Sequence, residues 1–140
     1  MLPKTAILSL FLILQNAAAQ SPATPDLGAR VLPSLVRLSI QKSDGGTASA
    51  NGFLAVKDGV LAVPWHVVRD ARSVVARFSS GEEYECSGII DRDEKRNVAL
   101  VRIKVFGKPV LKMDAREPAA GSALAVAAVK DGSFGMIGAT

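Results

Sequence analysis

The chain has 140 residues, 21% of them charged, and a formal net charge of +4, which suits one ordinary domain with a core of its own. The basic residues, among them Arg30, Arg37, Lys57, Arg69, Arg72, Arg77, Arg92, Lys95 and Arg96, are scattered and form no stripe interleaved with aromatics, which argues against nucleic acid as a partner. One cysteine, Cys86, and one histidine exclude an intrachain disulfide and a zinc site of the usual soft-ligand count, and neither a metal nor a cofactor is expected.

Lys4, the apolar run from Ala6 to Leu14, polar Gln15-Asn16 and then Ala17-Ala18-Ala19 follow the order of a secretory signal peptide. Residues 1–19 are expected to be that leader, cut near Ala19–Gln20. The apolar run falls short of the roughly 20 residues that span a bilayer, so no membrane anchor is expected after cleavage. A secreted or periplasmic location follows. Residues 20–29, with Pro22 and Pro25, read as a flexible lead-in.

Short apolar runs then alternate with turn residues about every ten positions, the pattern of an all-β sandwich or barrel. Val31 to Ile40 is the first expected strand, with Pro33 near its start, and Ser43 to Gly46 a loop. Ala48 to Val56 and Val60 to Val63 flank Lys57-Asp58-Gly59, and Asp-Gly between apolar runs is a strong hairpin signal. Pro64 ends that strand because it cannot donate to a central ladder. His66 to Ala71 is expected to form a short helical turn. Ser73 to Phe78 and Tyr84 to Ile90 are the next strands, joined by a turn at Ser79 to Glu82. Asp91 to Arg96 reads as a charged loop before Val98 to Val105. Gly107 to Pro118 is a connector. Ala123 to Val129 is a last strand without evident partners, and Asp131 to Thr140 a glycine-rich tail. Six strands can close a barrel. The seventh is expected to expose an unpaired edge that templates association, so an oligomer stays open.

His66 is the only histidine, and a general base needs a third group to orient it. Its surroundings resemble a known family. Asn51-Gly52-Phe53-Leu54-Ala55-Val56, then Asp58-Gly59-Val60-Leu61-Ala62-Val63, then His66-Val67-Val68 are similar to the start of HtrA/Deg-like trypsin-fold serine proteases. In those, a G-[SN]-G-F strand, a D-G turn and an N-H-V-V block follow in that order. The likeness continues through Arg77 to Tyr84, Gly88 to Asp91, Asn97 to Ile103 and Gly121 to Ala127.

The resemblance implies a trypsin-like antiparallel six-stranded β-barrel over residues 30–106. Residues 107–140 would be an inter-barrel linker and the truncated start of a second barrel. It implies unfolded protein or peptide as the substrate class. It places His66 on the general base and Asn97 on the position of the orienting aspartate, and the two are expected side by side at one rim. That aspartate fixes the imidazole tautomer and stabilises the imidazolium. Asparagine carries no charge and can turn to donate instead. Asp91, Asp93 and Glu94 are alternative carboxylates from the same loop. Trp65 stands where the family has a polar residue.

No G-x-S-G nucleophile motif occurs in the sequence. Ser122 and Ser133 read as turn residues, and Cys86 as a small hydrophobe within a strand. The chain is therefore expected to be an exported trypsin-like serine endopeptidase relative, truncated before the nucleophile and inactive as given. The alternative is a pseudoprotease that binds protein or peptide. The order of motifs argues against a bare β-barrel scaffold.

Overall fold

The computed structural model describes residues 25–57 and 59–139. The leader assigned to residues 1–19 lies outside them. The chain enters through a short helix, α1 (Pro25–Val31), and a 3-10 turn at Leu32–Ser34. Eight strands follow: β1 (Leu35–Lys42), β2 (Thr47–Val56), β3 (Val60–Pro64), β4 (Ala71–Phe78), β5 (Glu83–Asp93), β6 (Val98–Ile103), β7 (Leu124–Lys130) and β8 (Ser133–Ala139). A one-turn helix, α2 (Trp65–Val68), sits between β3 and β4. The first six strands close into an antiparallel barrel in the order β1-β2-β3-β6-β5-β4, and β7 and β8 form a separate two-stranded sheet.

Alternation builds the barrel interior. Val36, Leu38 and Ile40 of β1 point inward with Val74, Ala76 and Phe78 of β4, and Ala99, Val101 and Ile103 of β6 meet them. Period-two burial of this kind fixes register, because a slip of one residue would turn every apolar side chain outward. β3 is different. Val60, Leu61, Ala62 and Val63 are all buried, so this strand is covered on both faces.

The segment after β6 closes one end of the barrel. Val105 is buried, and the backbone N–H of Leu111 donates to Leu54 O at 3.1 Å. The buried Ser34 hydroxyl donates to Pro109 O at 2.6 Å. Lys108 Nζ sits 5.1 Å from the centre of the Phe78 ring and 2.6 Å from a Glu82 carboxylate oxygen. Tyr84 packs edge-on against Phe78 and donates to Glu82. The hydrogen bonds from Lys108 and Tyr84 hold the Glu82 carboxyl below the usual glutamate range.

Four expectations are corrected. The first strand starts at Leu35, not Val31, because Pro33 serves the preceding 3-10 turn, where its missing N–H costs nothing. The described part of the lead-in holds helix α1. The charged loop shrinks to a turn at 94–97, since β5 continues to Asp93 by pairing with β6 through two register shifts. The last strand is not alone: β7 pairs with β8 from Leu124↔Ala139 to Lys130↔Ser133, across a turn in which Asp131 and Gly132 both take positive φ. The glycine-rich tail is thus its missing partner.

Candidate active site at the barrel rim

The β3–β6 ladder runs from Val60↔Arg102 to Pro64↔Val98. Pro64 ends it and caps α2, which lifts His66 onto the rim just beyond the last pair. On the other side the chain enters β6 through Asn97. Its φ of 56° is a left-handed conformation that asparagine tolerates better than most residues. The backbone ties the two sides together: Trp65 N–H donates to Asn97 O at 3.2 Å, and Asn97 N–H to Glu94 O at 3.3 Å.

The side chains meet here. The backbone N–H of His66 donates to Asn97 Oδ1 at 2.8 Å. His66 Nδ1 lies 3.0 Å from Asn97 Oδ1 and 2.8 Å from Asn97 Nδ2. His66 and Asn97 are both exposed.

The three loop carboxylates are engaged elsewhere. Asp93 accepts from the Arg96 backbone and guanidinium, at 3.0 and 2.7 Å. The backbone bond from Arg96, then its side-chain bond, hold the Asp93 carboxyl below the ordinary aspartate range. Asp91 accepts from Arg92 N–H and Glu94 from Arg92 Nε. Among the described residues none of the three reaches His66, and Asn97 is its side-chain partner.

Two serines considered in the sequence occupy turns or strand starts. Ser122 N–H donates to Ala119 O, and Ser133 opens β8. Cys86 lies in β5, half-buried against the core. Burial, and then the neighbouring Glu85 charge, push its thiol up to about 11, so it is a neutral thiol at pH 7, unlike an activated nucleophile. Among the described residues no group of three or more His, Cys, Asp or Glu is gathered as a metal site would need.

Two features were not legible as parts of the site. The Arg92 guanidinium stacks on the Trp65 ring, 4.9 Å from its centre, and so pins the turn that carries Asn97 against α2. A cation over an indole face is worth about 0.5–1 kcal/mol when exposed. The sequence signal was Trp65 itself, an aromatic where the resemblance gives a polar residue. The second feature is a groove of about 530 Å³ beside Asn97, lined among others by Phe53, Val63, Val98, Leu100, Met113 and Ala127. Val98 and Met113 are 40% and 62% exposed along it. Gly52 forms part of its floor. A Cβ there would lie 2.9 Å from both Ala62 O and Val63 Cγ1, so the close approach of β2 to β3 needs a glycine.

No family model matches the chain. It is 32% identical over 99 residues to Serine protease HTRA1 of Xenopus laevis, covering 66% of this chain and 21% of that protein. It is 26% identical over 109 residues to a probable periplasmic serine endoprotease, DegP-like, of Ectopseudomonas mendocina (strain ymp), covering 71% of this chain and 23% of that protein. The chain thus spans under a quarter of these relatives' length. Among solved structures, the HtrA-type protease AlgW with tripeptide superposes with a TM-score of 0.71 at 15% identity, covering 79% of this chain and 36% of that one. The serine endoprotease from Yersinia pestis superposes with a TM-score of 0.69 at 17% identity, covering 79% of this chain and 40% of that one. These structural likenesses carry the fold. Among the described residues no helix is long and apolar enough to cross a membrane. The barrel and the sequence likeness together relate this chain, over the part that matches, to the HtrA/Deg-like trypsin-fold serine proteases.

Proposed function

We propose that the chain is an exported serine endopeptidase relative in which His66 is the general base and Asn97 the orienting residue, and that as given it does not hydrolyse peptide bonds. The observation that carries the reading is the contact itself: His66 and Asn97, 31 positions apart, meet within 3.0 Å at one rim. Hydrolysis by such a site also needs an activated serine and oxyanion donors. The sequence offers no G-x-S-G, and among the described residues no serine hydroxyl bonds to the imidazole.

The chain is expected to leave unfolded casein intact and to remain unlabelled by a serine-directed fluorophosphonate probe. Asn97→Asp is expected to leave both results at background, because a better-oriented imidazole still has no serine to activate. Stoichiometric labelling that disappears in His66→Ala would overturn the proposal and make Ser133 the first serine to test.

Export rests on the leader pattern of residues 1–19 and on the likeness to a protein named as a periplasmic endoprotease. Material recovered outside the cytoplasm should begin at or next to Gln20 by N-terminal sequencing. An intact Met1 there would contradict it.

The apolar groove beside Asn97 favours a second reading, an inert module that holds an unstructured peptide. Titration calorimetry with an unstructured apolar peptide should then give a heat that Met113→Asp removes. Equal heats, or none from the parent chain, would rule this reading out.

A further inference from the structure

A second recess, of about 240 Å³, lies between the barrel wall and the β7–β8 turn, lined among others by Arg37, Ser39, Arg77, Glu83, Gly132 and Phe134. We infer that it takes one carboxylate of a polypeptide, supplied by an acidic side chain or by a chain end, between the guanidiniums of Arg37 and Arg77. The recess shares no lining residue with the groove beside Asn97, so the inference goes beyond the proposed function and does not rest on it.

The ladders set four polar residues in one row across the outside of the barrel. Asn51 of β2, Arg37 of β1, Arg77 of β4 and Glu83 of β5 are successive cross-strand partners. Arg37 and Arg77 face outward because Val36, Leu38, Ala76 and Phe78, their neighbours along the strands, are buried. Directly opposed side chains on one face of an antiparallel pair stand about 4.5–5.5 Å apart at Cβ, and like charges placed so destabilise the pair. Ser39 lies two residues along β1 on the same face and adds a hydroxyl.

One carboxylate faces two guanidiniums. Arg77 Nε is 3.9 Å from Glu83 Oε1, too far for a hydrogen bond. Arg37 donates to the neutral acceptors Ser49 Oγ and Asn51 Oδ1, so one positive charge in the row is left unmatched. The β7–β8 turn makes this row a recess rather than an open face. Val129 beside it is only 4% exposed, and Gly132 takes φ +80° in the turn itself. Shielding from water on that side strengthens both the repulsion between the guanidiniums and their attraction for an anion. Guanidinium forks match the two oxygens of a carboxylate, whose single charge equals the one unmatched. A phosphoryl group, at about −1.5 to −2, would bring more charge than the recess lacks and set it against Glu83.

Amide shifts in ¹H–¹⁵N spectra of the ¹⁵N-labelled chain, near neutral pH and at constant ionic strength, read the binding. The probes are N-acetyl-glutamate α-amide, N-acetyl-alanine, inorganic phosphate and, as the neutral control, N-acetyl-glutamine α-amide. At least one carboxylate probe is expected to move the Ser39 and Gly132 amides saturably in the millimolar range. Tighter binding of the glutamate probe identifies an acidic side chain as the source, and tighter binding of the alanine probe a chain end. Arg37→Gln and Arg77→Gln should each weaken that binding about tenfold, as loss of one charge-assisted hydrogen bond does. Glu83→Gln should tighten it several-fold, a gain that a merely structural row of charges would not give. No saturable shift with either carboxylate, equal binding of the neutral control, phosphate bound more tightly than both carboxylates, unchanged affinity in both arginine variants, or no gain in Glu83→Gln would each overturn the inference. The titrations of the parent chain decide even where a variant does not fold.

Discussion

Gly59→Ala is expected to remove about 4 kcal/mol or more of stability, the range in which single substitutions become exceptional. Gly59 has φ +87°, where an L-residue is strained by about 1–2 kcal/mol. Strain is the smaller part. A Cβ on Gly59 would fall 1.9 Å from Ile103 O, and that contact is with backbone, which cannot step aside as a flexible side chain would. The same glycine accepts the Ile103 N–H at 2.8 Å, so relieving the clash means opening the end of the β3–β6 ladder. Domains of this kind have about 5–15 kcal/mol in total, and most of that margin would go. Guanidinium unfolding followed by tryptophan fluorescence measures it, with Trp65 the only tryptophan. A loss below about 1 kcal/mol would show that the ladder yields despite the backbone contact at Ile103 O. Because that ladder ends at Pro64↔Val98, the variant should also loosen the His66–Asn97 contact.

Phe78→Ala is expected to cost about 3–5 kcal/mol, as buried aromatic truncations do. The ring is 1% exposed. Its removal leaves a void between β1 and β4, whose pairing starts at Val36↔Phe78. It also ends the edge-on contact with Tyr84, worth about 0.5–1.5 kcal/mol beyond area, and takes away the surface under Lys108. A double-mutant cycle with Lys108→Ala should therefore show coupling of about 0.5 kcal/mol or more. Strictly additive losses would mean that Lys108 holds the connector only through its ion pair with Glu82 and its hydrogen bond to Ser80 Oγ, 3.0 Å away.

The barrel was legible because its signals are local. Alternating apolar residues and Gly-containing turns mark each strand, and Pro64 marks where β3 must stop. β8 was not legible, because Gly135 and Gly138 weaken any strand pattern read one segment at a time. It exists because β7 offers it a full ladder. The extension of β5 to Asp93 had the same cause: exposed charged residues look like loop until β6 supplies their partners. At the site, the order of motifs brought out His66 and Asn97, while the roles of Arg92 and of the His66 backbone N–H depend on contacts that no spacing encodes.

Barrel closure also bears on when the rim comes into being during folding. β1, β2 and β3 form by successive short connections, whereas β3 pairs with β6 only after two more strands have been made. The entropy of closing that long loop is spent before any of its contacts reward it. Until then His66 sits on a strand end without Asn97. The imidazole environment therefore reports on completion of the whole cylinder, and a kinetic probe at His66 should follow the slowest phase of refolding while far-ultraviolet dichroism runs ahead of it.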